Sequence, residues 1–346
     1  MRGGKRGAQR SRLALLVLVL ILLLGLTGCG KERVEVPDKY KGYVSPWETD
    51  VVKAAVKDGK MHYYFMSAEG YRINPGGISD TKWGDSCLIV FPDGKTMLID
   101  AGLQGYAPIL ALNLKRMGVE KLDYFVLSHP HNDHGYGALY GDGVLRSMDV
   151  GRVYHNGVIN AAWGSPRILM DICKEREIPC EVLKSGDTLH VGEVEIRILH
   201  PEGDKSETEI ASKTADVNNG SLVMRFDYGE HSALFTGDIY KSAEQELLKS
   251  CAELLDVDLL KLPHHGNDTS NGSSFVKAVS AELGVATGYE SVSVAAFNAY
   301  KATKTTVLMD SEDGYIHVCA GKDGAMTYET GRERSEKSRF GQLKND

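Results

Sequence analysis

The hydrophobic pattern starts with one long apolar run and then breaks into many short ones. Leu13 to Leu26 is unbroken apolar sequence behind a basic stretch of Arg2, Lys5, Arg6, Arg10 and Arg12. At about 14 residues the run is shorter than the roughly 20 that a spanning helix needs. Residues 30–60, with Lys31-Glu32-Arg33 and scattered Pro and Tyr, read as a tether. From His62 onward strand-like and helix-like segments alternate. Cys87–Phe91 and Thr96–Ile99 predict strands joined by the turn Pro92-Asp93-Gly94. Tyr106–Met117 has helical apolar spacing ending at Gly118, and Asp123–Leu127 is a buried-strand run that leads straight into His129. The pattern then predicts helices over Gly135–Met148 and Pro166–Arg176, with a strand over Arg152–Tyr154 between them. Alternation predicts strands over Val194–Leu199, Ser221–Asp227 and Ala233–Phe235. A helix over Ser242–Leu255, a strand over Asp258–Leu262 and a helix over Ser273–Val279 follow. Val307–Met309 and Tyr315–Val318 close the pattern around the turn Glu312-Asp313-Gly314. The domain is placed over residues 61–328, with a charged, frayed tail behind it. Mixed strands, helices and hairpins in this order imply an α/β sandwich of sheets flanked by helices.

The leader changes this picture. Its apolar run ends in Leu26-Thr27-Gly28-Cys29, the small-residue-then-Cys pattern of a lipoprotein signal. This predicts a signal peptide over residues 1–28 and an acylated Cys29 that anchors an extracytoplasmic protein to the cell membrane. Removing residues 1–28, which carry five positive charges and no acidic ones, takes the formal charge from −7 to −12. A chain so acidic repels long polyanions, so no stable nucleic-acid complex is expected, while recognition of a single phosphate stays open. Five cysteines remain besides Cys29, an odd number that prevents complete internal pairing. None shows C-x-x-C spacing, which argues against a structural zinc site. Cys87 and Cys319 read as buried thiols, and Cys173 with Cys180 is the one pair close enough in sequence to suggest a disulfide.

Candidate chemistry concentrates at three strand ends. Ser128-His129-Pro130-His131-Asn132-Asp133-His134 places four metal-ligand side chains within six residues, directly after a predicted strand. In an extended loop alternate positions face the same way, so His129 and His131 can grip one ion while Asp133 and His134 turn toward a second. In Leu234-Phe235-Thr236-Gly237-Asp238 an apolar strand ends at a glycine and presents a carboxylate able to bridge two cations. In Leu260-Lys261-Leu262-Pro263-His264-His265-Gly266 another strand runs into a histidine pair. One of that pair would complete a metal and the other would contact substrate or orient a ligand.

Taken together, HxHxDH, a strand ending in Gly-Asp, and Pro-His-His-Gly resemble the metallo-β-lactamase superfamily. Within it the chain is similar to the hydrolase domain of ComEC/Rec2 competence proteins and to phosphorylcholine esterases. The similarity runs from about His62 to Tyr328 and includes Gly84-Asp85-Ser86, Ile99-Asp100-Ala101-Gly102, Leu199-His200-Pro201, Asn218-Asn219-Gly220-Ser221 and Asp313-Gly314-Tyr315-Ile316. The resemblance implies an αββα sandwich and two divalent metal ions, zinc or manganese. His129 and His131 would hold one metal, Asp133 and His134 the other, with Asp238 bridging and His265, or alternatively His264, adding a ligand. Asp100 would buttress the metal loop, and His200 would be structural. Asp133 or His264 would pass a proton to the leaving oxygen of a phosphate-containing substrate. The chain departs from the family late: Asn298-Ala299-Tyr300-Lys301-Ala302 stands where a further histidine is usual, and the helix there looks shortened. It also carries no series of membrane spans of the kind a DNA-uptake channel needs. The expected activity is phosphodiester hydrolysis, with DNA and phosphorylcholine-type substrates both open. Tyr154, Trp163 or Tyr289 could cage a choline headgroup. Hydrolysis of a lactone, thioester or β-lactam is the second enzymatic reading, and a non-catalytic binding lipoprotein the third.

Overall fold

The structure is a computed structural model that describes residues 57–66, 84–162, 165–204, 209–288, 292–331 and 333–334. The expected leader, the acylated Cys29 and most of the tether lie outside the described residues, as do Trp163 and Tyr289.

Two large sheets share one core. The first has the spatial order β17 (Met326–Thr330), β16 (Ile316–Ala320), β1 (Met61–Phe65), β2 (Cys87–Val90), β3 (Thr96–Ile99), β4 (Lys121–Leu127), β5 (Asp149–His155) and β7 (Cys180–Val182). The second runs β15 (Thr306–Met309), β14 (Leu283–Ala286), β13 (Leu259–Lys261), β12 (His231–Phe235), β11 (Val223–Tyr228), β9 (Val194–His200) and β8 (Thr188–Val191). A short parallel pair, β6 (Val158–Asn160) and β10 (Glu209–Ala211), forms a separate ribbon.

Alternation within each strand sets the layers. In β2, Cys87 and Ile89 pack with Phe226, Phe235 and Val285 between the sheets, while Leu88 and Val90 face Leu110, Leu114 and Leu139 from the helices on the outer side. A strand covered on both faces needs apolar residues at every position, so Cys87–Val90 reads as a continuous run. The second sheet buries its outer face, including Leu234, Leu260 and Leu262, against Leu247, Phe275 and Tyr300 from the helices Lys241–Ser250, Ser273–Val279 and Val294–Thr303. The result is the αββα sandwich.

Several expected boundaries move for local reasons. The single helix expected over 135–148 is two, Asn132–Leu139 and Val144–Ser147, because Gly141 takes a left-handed conformation (φ 57°) and breaks the chain between them. The helix expected over 242–255 ends at Ser250, where Cys251 leaves helical geometry (φ −152°). The helix that looked shortened is ten residues long, Val294–Thr303, with the Ser293 side chain accepting from the N–H of Ala296. At the C-terminal end the sheet continues through Thr330. Arg334 then returns into the fold, donating to the buried carboxylate of Asp313 and to the carbonyl of Val307.

The parallel segments position the site. β3 and β4 in one sheet run parallel to each other, as do β12, β13 and β14 in the other. Residues just beyond their carboxyl ends meet along one edge of the sandwich, the usual place for a site in sheets of this kind.

Candidate metal centre

Asp100 follows β3 with φ 58° and turns its carboxylate under the next loop. The Ser128 N–H donates to its Oδ1 at 2.8 Å, and the Ser128 hydroxyl to its Oδ2 at 2.6 Å. His134 Nδ1 donates to the same Oδ2 at 2.7 Å. One buried carboxylate therefore fixes both the start and the end of the histidine loop. The helix Asn132–Leu139 begins inside that loop, so Asp133 sits in its first turn, where the helix dipole favours an anion.

Asp238 is placed from the other sheet. Gly237 adopts φ 50°, and a Cβ there would lie 2.7 Å from that of Ser221, so the turn into Asp238 requires glycine. The Asp238 N–H is held by the Ser221 hydroxyl at 3.0 Å. His264, His265 and Gly266 form a left-handed run with φ of 47°, 55° and 83°. For the two histidines this costs about 1–3 kcal/mol each. Asn271 restrains the run by donating to the carbonyls of Pro263 and Asn267, and the Tyr300 hydroxyl donates to Asn271. Glu244 accepts the N–H groups of Asn271 and Gly272. The late segment that lacks a histidine thus contributes Tyr300 to the support of this loop.

Four imidazoles converge on one carboxylate oxygen. The Nε2 atoms of His134, His265, His264 and His129 lie 3.2, 3.3, 3.8 and 3.9 Å from Oδ2 of Asp238. His131 joins through Nδ1, 3.0 Å from His129 Nε2, and Asp133 Oδ2 lies 3.8 Å from His265 Nε2. All the residues expected at the metals are therefore brought together. His200 is not among them: its Nδ1 meets the Ser221 carbonyl at 3.1 Å. Tyr154 is buried between the sheets beside Tyr124 and offers no cage wall.

Two residues escaped sequence reasoning. Asp85, His134, Asp238 and His265 each offer a ligand atom, all within 4.8 Å of one another. Asp85 is also clamped by Lys261, with Nζ 2.5 Å from Oδ2, and by the Thr287 hydroxyl at 2.7 Å. Lys261 is 2% exposed and stands 3.9 Å from Asp238 Oδ1. A lysine inside the apolar strand Leu259–Lys261 is itself the missed signal, since a buried ammonium needs an anionic partner.

The donor set fits divalent cations. His134 gives its Nδ1 proton to Asp100, and His265 gives its own to the Thr287 carbonyl at 2.7 Å. Each neutral ring therefore turns a lone pair toward Asp238, placing acceptor against acceptor where water does not reach. The Asp238 Oδ1 atom is buried without any hydrogen bond. In the metal-free protein a proton must substitute. Burial opposes a charge on His134, but Asp238 and Asp100 outweigh it and hold the ring's pKa well above the usual imidazole range. Burial likewise opposes ionisation of Asp238, and His134 and His265 overcome it, keeping its carboxyl well below the ordinary value. His129, by contrast, is driven well down by burial and stays neutral, as a ligand must be.

Residues 81–286 match the model of the metallo-beta-lactamase superfamily, and the chain belongs to that superfamily. It is 28% identical over 242 residues to ComE operon protein 3 of Bacillus subtilis (strain 168), covering 64% of this chain and 29% of that one. It is 28% identical over 218 residues to Competence protein ComA of Neisseria gonorrhoeae, covering 62% of this chain and 26% of that one. The chain thus spans less than a third of the length of either relative. Among solved structures it resembles the metallo-beta-lactamase fold protein YhfI from Bacillus subtilis, at 16% identity and a TM-score of 0.44, covering 72% of this chain and 96% of that one.

Proposed function

We propose that this protein is an exported, lipid-anchored phosphodiesterase that works with two divalent cations, zinc or manganese. The observation that carries the proposal is the convergence of four imidazole nitrogens on one buried oxygen of Asp238, at 3.2 to 3.9 Å. His129 and His131 would hold one cation, and Asp133, His134 and His265 the other. Asp238 would lie between them, with Asp85 beside it. Two cations so held supply Lewis acidity at a phosphoryl oxygen and an acidified water as nucleophile.

The chain's own residues supply the rest. His264 is the most exposed imidazole at Asp238, with its side chain 19% accessible. Burial outweighs Asp238 and pulls its pKa down to about 4, so at neutral pH it is a neutral ring. Its Nδ1 lies 2.6 Å from the Thr269 hydroxyl, which fixes its orientation. A neutral, positioned imidazole at the mouth of the site can take the proton released by the attacking water and pass it to the departing oxygen, and Asp133 is the alternative carrier. Lys261 and Asp85 form a buried ion pair beside Asp238.

Phosphodiesters are favoured over carbonyl substrates by where the intervening histidines lie. His155 accepts the Gly157 N–H and lines a cavity with Cys180, and His190 is exposed on β8. His200 has the Ser221 carbonyl on one ring nitrogen and Glu246 on the other, and His231 has the Tyr63 hydroxyl on one and Asp258 on the other, so none of the four is turned to Asp238. The formal charge of −12 without residues 1–28 favours a small phosphodiester over a long polyanion. Hydrolysis of bis-p-nitrophenyl phosphate is expected, with lactones and nitrocefin turned over at background. Chelation and His131→Ala should each remove the activity. Turnover by fully demetallated protein, or a preference for nitrocefin, overturns the proposal. Comparing plasmid DNA with p-nitrophenylphosphorylcholine then identifies the substrate class. The anchor is tested separately, by metabolic labelling of Cys29 with a fatty acid.

A further inference from the structure

A second reactive cluster lies outside the metal centre, and the hydrolase does not use it. Cys173 is buried on the helix Ser165–Glu175, and Cys180 is half-buried at the start of β7. Both are free thiols, and Cys180 packs against the buried apolar cluster that contains Cys173. The turn between them is pinned at both ends. The Ile178 N–H donates to the Cys173 carbonyl at 2.8 Å, and the Val153 N–H to the Pro179 carbonyl at 2.8 Å.

His155 ends β5, the strand that pairs with β7 and sets Val153 opposite Cys180 and His155 opposite Val182. The Gly157 N–H donates to His155 Nδ1 at 3.2 Å, which leaves the neutral ring's own proton on Nε2. The Cys173 thiol and His155 both stabilise a thiolate on Cys180 and hold its pKa below the usual thiol range. The three side chains line a cavity of about 350 Å³ whose other walls include Ile159, Met170 and Lys174. That volume is within the range of small-molecule sites.

We propose that Cys180 and Cys173 form a redox-active dithiol that closes to a disulfide by exchange with a low-molecular-weight disulfide received in this cavity. Cys180, as the thiolate, attacks one sulfur of the external disulfide. The Cys180–sulfur bond forms, the external sulfur–sulfur bond breaks, and one thiolate leaves. Cys173 then attacks Cys180 Sγ, the protein disulfide forms, and the second external thiolate leaves. Two protein thiols are oxidised, one external disulfide is reduced to two thiols, and the two protein protons end on the released thiols. Lys174 on the wall offers a cation to a carboxylate of such a molecule.

The test incubates the full-length protein with oxidised glutathione, quenches in acid, alkylates after unfolding, and maps every cysteine by mass spectrometry. In wild type, the peptides carrying Cys173 and Cys180 should be joined, while Cys87, Cys251 and Cys319 are alkylated. In Cys173→Ser the reaction should stop at a glutathione adduct on Cys180, formed about tenfold faster than any on Cys251, because the thiolate is the nucleophile. In Cys180→Ser neither species should form. The proposal fails if wild-type Cys173 and Cys180 stay as alkylatable as Cys87, or if Cys180 and Cys251 react at equal rates. The wild-type map decides alone should either variant misfold.

Discussion

Asp238→Ala should lower kcat/KM for a phosphodiester by at least about 1,000-fold, roughly 4 kcal/mol of transition-state stabilisation, while the far-ultraviolet circular dichroism stays that of the wild type. The magnitude follows from the geometry. Asp238 is 2% exposed, and the nearest nitrogens of His134, His265, His264 and His129 all face one of its oxygens. In the proposed dinuclear site, removing that carboxylate would take away the one group shared by both halves and leave the two cations to repel each other. The fold should survive, because the backbone of Asp238 is held by Ser221 and the strand before it is packed on both faces. Asp238→Asn separates charge from shape: it keeps the side-chain volume and should still lose nearly all activity. Retention of more than a tenth of wild-type kcat/KM in either variant would show that Asp238 does not join the two metals.

Lys261→Met should lower stability sharply while leaving every proposed metal ligand in place. It strands the Asp85 carboxylate, 4% exposed, with no ammonium beside it. Breaking a buried pair on one side costs about 3–5 kcal/mol, against total stabilities of about 5–15 kcal/mol. At about 2–4 °C per kcal/mol for a domain of this size, the melting temperature should fall by roughly 10 °C in calorimetry. The double variant Asp85→Asn, Lys261→Met should recover part of that loss, since neither charge is then left alone. Burial tends to raise the Asp85 pKa, but Lys261, His134 and His265 outweigh it and hold it below the ordinary carboxylate value. A carboxyl depressed in the folded state contributes stability above its unfolded pKa, about 3.9, and loses it as the pH falls through the folded value. The wild type should therefore lose this contribution only in acid. A drop of less than about 2 °C would mean that water already reaches the pair.

What the sequence disclosed depended on whether a residue announced itself locally. His129, His131, Asp133 and His134 stood out because four ligand types fall on one short loop after an apolar strand. Asp238 and the His264-His265 pair were visible at strand ends of the same kind. Asp85 and Lys261 were given no role, because one is a single charge before an apolar strand, the other a single charge inside one, and their partnership spans two sheets. Glu244 has the sequence appearance of a solvated charge on the helix Lys241–Ser250, yet it is fully buried and holds Asn271 and Gly272 in place. Among secondary elements, the three-residue strands β6 and β7 are too short for alternation to register. Strand β17 was missed because it lies at a sheet edge with Thr327, Tyr328 and Glu329 exposed, so its pattern carries no apolar face. The turn Gly141-Asp142-Gly143, by contrast, was a legible break that helical spacing on either side obscured.

Metal content per chain bears most directly on the central arrangement. Protein loaded with zinc or manganese, passed through a desalting column and analysed by inductively coupled plasma mass spectrometry should carry two equivalents, and Asp238→Ala one or none. Fewer than one equivalent on the wild-type chain would contradict a dinuclear centre at this edge of the sandwich.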